Sequence, residues 1–212
     1  MIESGSGLIL RTRPLTETSL IVHWLTPEWG RLATVAKGAR RHKSPFQGKL
    51  DLFYQADFSF ARSRRSELHT LREINLRETR AAIRQDLRRL QQAAYATALV
   101  EDATETETPL PEIYELLRGL LDCLCAVEPT AQLILAFELK ILAETGLQPD
   151  WEETRLLPGT QKAAAVLTEG DWATGQRLKL TPAQTAELGQ FLHGFIIFNL
   201  GRLPRGRAAA LN

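Results

Sequence analysis

The run Lys37-Gly38-Ala39-Arg40-Arg41-His42-Lys43-Ser44 sets four formal positive charges, on Lys37, Arg40, Arg41 and Lys43, within seven residues. Lys and Arg neutralise phosphates, and the counterions they displace drive binding to a polyanion. Two further runs offer the same chemistry: Arg62, Arg64 and Arg65, and near the chain end Arg202, Arg205 and Arg207. Any one such run also suits a solvated surface, so their distribution matters more than their existence. Residues 1–80 carry 14 Lys+Arg against 8 Asp+Glu, a charge of +6, while residues 81–212 carry 12 against 17, a charge of −5. The total of +1 therefore hides a basic half joined to an acidic one. That asymmetry directs the first half toward a polyanion.

Other chemistries find less support. Tyr54, Phe58 and Phe60 could stack nucleobases, but their regular alternation fits core packing, as does Trp24. Trp29 falls in a turn and is the better exposed aromatic. The two cysteines, Cys123 and Cys125, lie two apart on a helical stripe, where side chains diverge by about 200°. They cannot clasp one ion, and His23, His42, His69 and His193 are scattered, so neither metal nor cofactor is expected. No phosphate loop of the form G-x-x-x-x-G-K-[ST] and no G-x-S-x-G elbow occurs. Ser4-Gly5-Ser6-Gly7 is glycine-rich but precedes a strand. No carboxylate pair is placed for acid–base work, and no enzymatic role is expected.

The basic runs need elements to hold them. Residues 7–78 read as strands. Leu20, Val22 and Trp24 alternate with Ile21, His23 and Leu25; Leu32, Thr34 and Ala36 follow. Leu50, Leu52, Tyr54, Ala56, Phe58 and Phe60 share one face of an extended strand, with Asp51, Gln55, Asp57 and Ser59 on the other face, whose polar pattern Phe53 breaks. Turn signals at Pro27–Gly30, Ser44-Pro45 and Arg62–Ser66 separate the runs. Five short strands in about 75 residues suggest a small barrel, because closure removes exposed edges. After residue 80 the period changes. Ile83, Leu87, Leu90, Ala94 and Ala98 mark one helix, and Ile113 to Leu124, opened by Pro109 and Pro111, a second. Thr130 to Thr145 is apolar nearly all round, which predicts a buried central helix ended by Gly146. Thr181-Pro182 starts a last helix whose buried face is Leu188, Phe191, Leu192, Phe195 and Ile196. Residues 147–180, with Pro158, Gly159, Gly170 and Gly175, are expected to form a loop-rich insertion. The domains expected are thus 1–80 and 81–212, an α+β chain.

At 212 residues, 44% apolar and 24% charged, the composition is that of a globular protein. Two cysteines exclude a disulfide-stapled scaffold. No apolar run reaches the roughly 18 residues of a membrane span, and the first residues carry no secretory pattern. A reducing, cytoplasmic setting is the expectation.

With these residues in view, the chain resembles the DNA repair protein RecO family over nearly its whole length. The likeness rests on Gly7-Leu8-Ile9-Leu10-Arg11 leading to Glu17-Thr18-Ser19-Leu20-Ile21, on Gly30-Arg31-Leu32, and above all on Val35-Ala36-Lys37-Gly38-Ala39-Arg40-Arg41 followed by Ser44. Ala136-Phe137-Glu138-Leu139-Lys140-Ile141-Leu142 up to Gly146, Leu180-Thr181-Pro182 and Leu200-Gly201-Arg202 extend it. The resemblance implies an N-terminal OB-fold barrel followed by a mostly helical domain. It implies a recombination mediator that binds single- and double-stranded DNA, anneals complementary strands and helps load RecA onto DNA coated by single-strand-binding protein. The partners implied are RecR, RecF in many bacteria, and the acidic C-terminal tail of single-strand-binding protein. Lys37, Arg40 and Arg41 match the family's basic loop, with Arg31 a weaker contact; Arg118 and Lys140 are offered as tail contacts. Many family members carry a four-cysteine zinc module between the central and last helices, and this chain has no cysteine from 147 to 180. An RNA-binding barrel protein and a protein-interaction adaptor stand as the rival readings.

Overall fold

The computed structural model describes residues 1–212. They fold as two compact units, residues 1–80 with 105–115, and residues 81–104 with 116–212. Residues 105–115 thus belong with the first unit and not with the second, where the sequence reading put them.

In the first unit, β1 (Ile2–Pro14), β2 (Leu20–Thr26), β3 (Gly30–Ala36), β4 (Gln55–Ala61) and β5 (Leu68–Glu78) close a barrel in the order β1-β2-β3-β5-β4. β3 and β5 pair in parallel, and the other pairs are antiparallel. This is the small OB-type barrel that the strand count predicts. Period-two side chains fill it: Ile9, Val22, Trp24, Leu32, Ala36, Ala56, Phe58, Phe60 and Leu71 form one buried cluster. Trp24 stacks on Phe58 with centroids 4.1 Å apart. Its indole Nε1 donates to Thr34 Oγ1 at 2.9 Å, so the one polar atom of that ring is satisfied inside the core. The aromatics Phe58 and Phe60 are therefore core residues and offer no stacking platform.

Two local expectations change. The strand foreseen over Leu50–Phe60 begins only at Gln55. Phe53 sits at φ 65°, where a strand cannot continue, yet its N–H still donates to Ile9 O at 2.9 Å. Apolar residues there mark coil that plugs the core, which mimics strand alternation. Trp29 is half-buried, edge-on to Phe60 at 5.2 Å. A Cβ on Gly5 would lie 2.6 Å from its ring, so glycine makes room for the indole. The returning segment is docked against β3: Glu107 N–H donates to Arg31 O at 2.8 Å. Gly30, at φ 63°, lies so close to Thr108 that a side chain there would overlap its carbonyl.

The helical unit contains α1 (Ala81–Gln85), α2 (Leu87–Ala103), α3 (Pro111–Ala126, its first turn in the barrel unit), α4 (Ala131–Glu144), α5 (Pro158–Glu169), α6 (Trp172–Arg177), α7 (Pro182–Leu200) and α8 (Arg207–Leu211). The single helix expected over Ile83–Ala98 is two, because the Asp86 carboxylate accepts from Arg89 N–H at 2.9 Å and caps α2. α4 is the central helix, with Leu133 to Leu139, Ile141 and Leu142 all buried. Thr181 caps α7 in a reciprocal box with Gln184.

The loop-rich insertion at 147–180 is overturned. A 3₁₀ turn at Trp151–Glu153 and helices α5 and α6 occupy most of it. Pro158 and Gly170 are the start and stop of α5, so residues read as breakers are helix boundaries. Ala164 and Leu167 join the cluster formed by α4 and α7. Two side chains of α4 tie the segment down. Lys140 Nζ donates to Thr168 O at 2.9 Å and to Gly170 O. Gln132 Nε2 donates to Leu178 O at 2.7 Å and to Gly175 O at 2.5 Å. No helix is long and apolar enough to cross a membrane.

Candidate nucleic-acid interface

Residues 37–54 connect β3 to β4, and the Lys37–Lys43 run opens that connection at the barrel end where β3 finishes. The loop is built. Gly38 at φ 71° starts a chain of turns in which Arg41 N–H donates to Gly38 O, Ser44 N–H to Arg41 O and Gln47 N–H to Ser44 O, all at 3.0–3.1 Å. Phe46 then enters the barrel core and Ala39 packs against it, fixing the loop from inside. Lys37, Arg40, Arg41 and Lys43 are all exposed. Anchored backbone with exposed cations is the arrangement that phosphate binding favours, because little ordering remains to be done on contact.

The connection between β1 and β2 meets this loop. Arg40 N–H donates to Thr18 O at 3.0 Å and Arg40 Nη1 to Thr16 O at 3.2 Å. Thr16 Oγ1 in turn accepts from Ser19 N–H at 3.1 Å. OB barrels bind oligonucleotides with the β2–β3 face and the β1–β2 and β4–β5 loops, so the basic run lies beside one of those loops.

The second basic run does not join it. Arg62, Arg64 and Arg65 lie in the β4–β5 loop. The strand registers put that loop near Ile2 and the β2–β3 turn, at the opposite end of the barrel. Arg62 is also committed to a network: its Nε donates to Glu3 Oε1 at 2.8 Å, its Nη2 to Glu3 Oε2 at 3.1 Å and its Nη1 to Glu107 Oε2 at 3.1 Å. His69 Nε2 completes it, 2.8 Å from Glu107 Oε1. The hydrogen bond from Arg62 holds the Glu3 carboxyl below its ordinary pKa. Arg64 and Arg65 are exposed.

The third run is corrected. Arg207 is buried: Nε donates to Glu138 Oε1 at 2.6 Å and Nη2 to Glu138 Oε2 at 2.8 Å, and Tyr95 Oη donates to Glu138 Oε1 at 2.5 Å. It cannot reach a phosphate. Arg202 pairs with Asp102, Nε to Oδ2 at 3.2 Å, and Arg205 is exposed. The two tail-contact residues are engaged too. Arg118 pairs with Asp122 one turn on at 3.1 Å. Lys140 is half-buried, held by the carbonyls named above, and burial lowers its pKa against the raising effect of Asp171 and Glu144.

The sequence reading passed over Arg11 and Arg13. They alternate on β1, so both side chains leave the same face of the strand. The register sets Arg11 opposite His23 and Arg13 opposite Ile21. Both arginines are exposed, and Arg31 flanks the same face from β3. Burial first, then the charges of Arg11, Arg13 and Arg31, hold His23 down at a pKa of about 4. The Arg-x-Arg spacing was the signal available in the sequence, but two charges in a strand count for little until the register shows what surrounds them.

Residues 1–80 match the family model described as recombination protein O N terminal, and residues 84–154 match recombination protein O C terminal. Among curated proteins named DNA repair protein RecO, that of Alkaliphilus metalliredigens is 33% identical over 150 residues, 70% of this chain and 60% of its own length. That of Myxococcus xanthus is 34% identical over 153 residues, 72% of this chain and 62% of its own. The Bacillus pumilus protein is 31% identical over 153 residues, 72% and 59% respectively. The matches thus span about three fifths of these relatives. Two adjoining family models and relatives of this similarity lead to one conclusion: the chain belongs to the recombination protein O (RecO) family.

Proposed function

We propose that the chain is a recombinational DNA repair mediator that holds single- and double-stranded DNA through backbone phosphates. The observation that carries this is the Lys37–Lys43 loop, with four exposed cations on a backbone anchored by Phe46 and by the β1–β2 loop. Contacts to phosphate position a strand but carry no base information, so binding is indifferent to sequence. Annealing follows from the same chemistry, since two strands approach only when their mutual repulsion is screened. Loading RecA, and acting with RecR, RecF and the acidic tail of single-strand-binding protein, complete the reading. These partners rest on membership of the family. Arg118 and Lys140 already serve partners within the fold and are not proposed again as tail contacts.

Annealing of complementary oligonucleotides, with and without single-strand-binding protein, tests the reading. Acceleration that survives the coating protein supports it. Absence of any DNA binding at low salt would favour a pure adaptor, and preference for RNA over DNA of equal length would favour an RNA-binding module.

A further inference from the structure

The helical unit leaves one apolar surface of α7 uncovered. Leu188, Leu192 and Ile196 are the buried stripe of that helix. Phe191, Phe195 and Phe198 follow at i, i+4 and i+7, so they share a second face beside the stripe. Phe191 and Phe195 are half-buried with ring centroids 5.5 Å apart, and Trp151 lies 6.3 Å from Phe191. Phe198 is 86% exposed. A large ring left in water at the end of an aromatic row is informative where a scattered surface leucine is not. Leu157, 67% exposed, extends the row at its other end. Its N–H donates to Glu187 Oε1 at 2.8 Å, one turn before Phe191. From Glu187 to Phe198 the row runs about 17 Å at 1.5 Å per residue, three turns of a helix.

The 3₁₀ turn at Trp151–Glu153 walls the row and makes it a groove of about 410 Å³, whose lining includes Pro149, Asp150, Glu153, Arg155, Phe191 and Phe195. Asp150, Glu152 and Glu153 stand exposed along that wall, and Arg155 is the one cation of the lining. α7 adds no Lys or Arg. Its one carboxylate, Glu187, already accepts from Leu157 N–H and from Thr160 Oγ1. An apolar floor with a carboxylate rim complements a helix whose apolar stripe is edged by Lys or Arg. An acidic peptide or a phosphate backbone would meet like charge here.

We infer that the groove between the Trp151–Glu153 turn and the Phe191–Phe198 row docks a basic amphipathic helix of a partner protein. Phe198 is the anchor that the partner's apolar stripe covers, and Asp150 and Glu153 face its cations. This is independent of the DNA-binding reading, whose cations lie in the barrel unit.

The test uses the full chain and a fluorescein-labelled helical peptide with Leu at i, i+4 and i+7 and Lys on both flanks, followed by anisotropy. The peptide should bind saturably, and more weakly as salt rises. Its counterpart with Glu for Lys should not bind. Phe198→Ser should weaken binding about tenfold or more, the scale of a central aromatic anchor, with an unchanged melting curve because the ring is exposed. Asp150→Asn/Glu153→Gln, in which the Asn oxygen can still cap the 3₁₀ turn, should weaken binding and remove its salt dependence. Independently of any variant, a peptide with benzoylphenylalanine in place of one Leu should photo-attach to residues 149–157 or 191–198 of the unaltered protein. Equal binding by a scrambled peptide of the same composition would show attraction by charge alone and overturn the inference. So would attachment elsewhere, absence of saturable binding, or unchanged affinity in folded Phe198→Ser. Self-association of the unaltered protein in sedimentation, abolished by Phe198→Ser, would give the face to a second copy of the chain and overturn it too.

Discussion

Arg207 and Glu138 meet inside the helical unit as a two-pronged ion pair, with heavy-atom separations of 2.6 and 2.8 Å and side chains 5% and 0% exposed. Tyr95 donates to the same carboxylate, and Arg207 Nη2 also donates to Gly189 O at 3.0 Å. The pair ties α8 to α4 and α7. Removing one partner strands the other charge in the core, so Arg207→Ala should cost about 3–5 kcal/mol of stability. Arg205→Ala, two residues away and exposed, should cost within about 0.5 kcal/mol. Urea unfolding of both variants checks this, and equal midpoints would refute it.

The same arginine shows where the sequence was legible and where it was not. Arg202, Arg205 and Arg207 form one basic run in the sequence, but burial separates them, and burial depends on partners such as Glu138 that lie 69 residues away. The barrel strands were readable because one buried face imposes period two. α4 and α7 were readable from apolar stripes and from the Thr caps and glycine stops at their ends. The insertion was not readable, since its helices are short and gain stability from packing on α4, not from their own pattern. The basic loop was legible as chemistry, whereas its anchoring by Phe46 and Thr16 was not.

His23 makes acid stability a test of the barrel face. Its folded pKa, about 4, lies below the unfolded value of about 6.5. The unfolded chain therefore takes up this proton first. The stability involved is fully present above about pH 6.5 and is lost as pH falls toward 4. His23→Gln should lose less stability between pH 7 and pH 4.5 than the unaltered protein does. Parallel losses in urea titrations at the two pH values would contradict this.

Lys140 predicts a local effect. Lys140→Met removes the donor to Thr168 O and Gly170 O, a loss of about 1.5–3 kcal/mol per charged hydrogen bond at most. Amide exchange should accelerate in 158–177 while the barrel strands stay protected. DNA affinity should not change. Uniform acceleration across both units would show that Lys140 supports more than the insertion.

The insertion also predicts indifference to chelators. No three His, Cys, Asp or Glu side chains approach one another closely enough to hold an ion, and Gln132 and Lys140 bind the segment's carbonyls directly. Melting with and without a strong chelator should give one temperature, since only a structural metal links chelation to unfolding. Stoichiometric zinc in the purified protein would contradict this.

The most direct measurement is the salt dependence of single-stranded DNA binding by the unaltered protein and by Arg40→Ala/Arg41→Ala. With about four to six phosphates neutralised, log K should fall against log salt with slope roughly −3 to −4. The double variant should flatten that slope by about 1.4 and weaken binding equally for unrelated sequences. Arg40 also holds Thr16 O, so a melting curve and Arg40→Lys/Arg41→Lys, which keeps the charges, accompany it. A lost slope restored by the Lys variant is the result expected. A folded Ala variant that binds DNA with unchanged affinity and slope would contradict the role given to the Lys37–Lys43 loop.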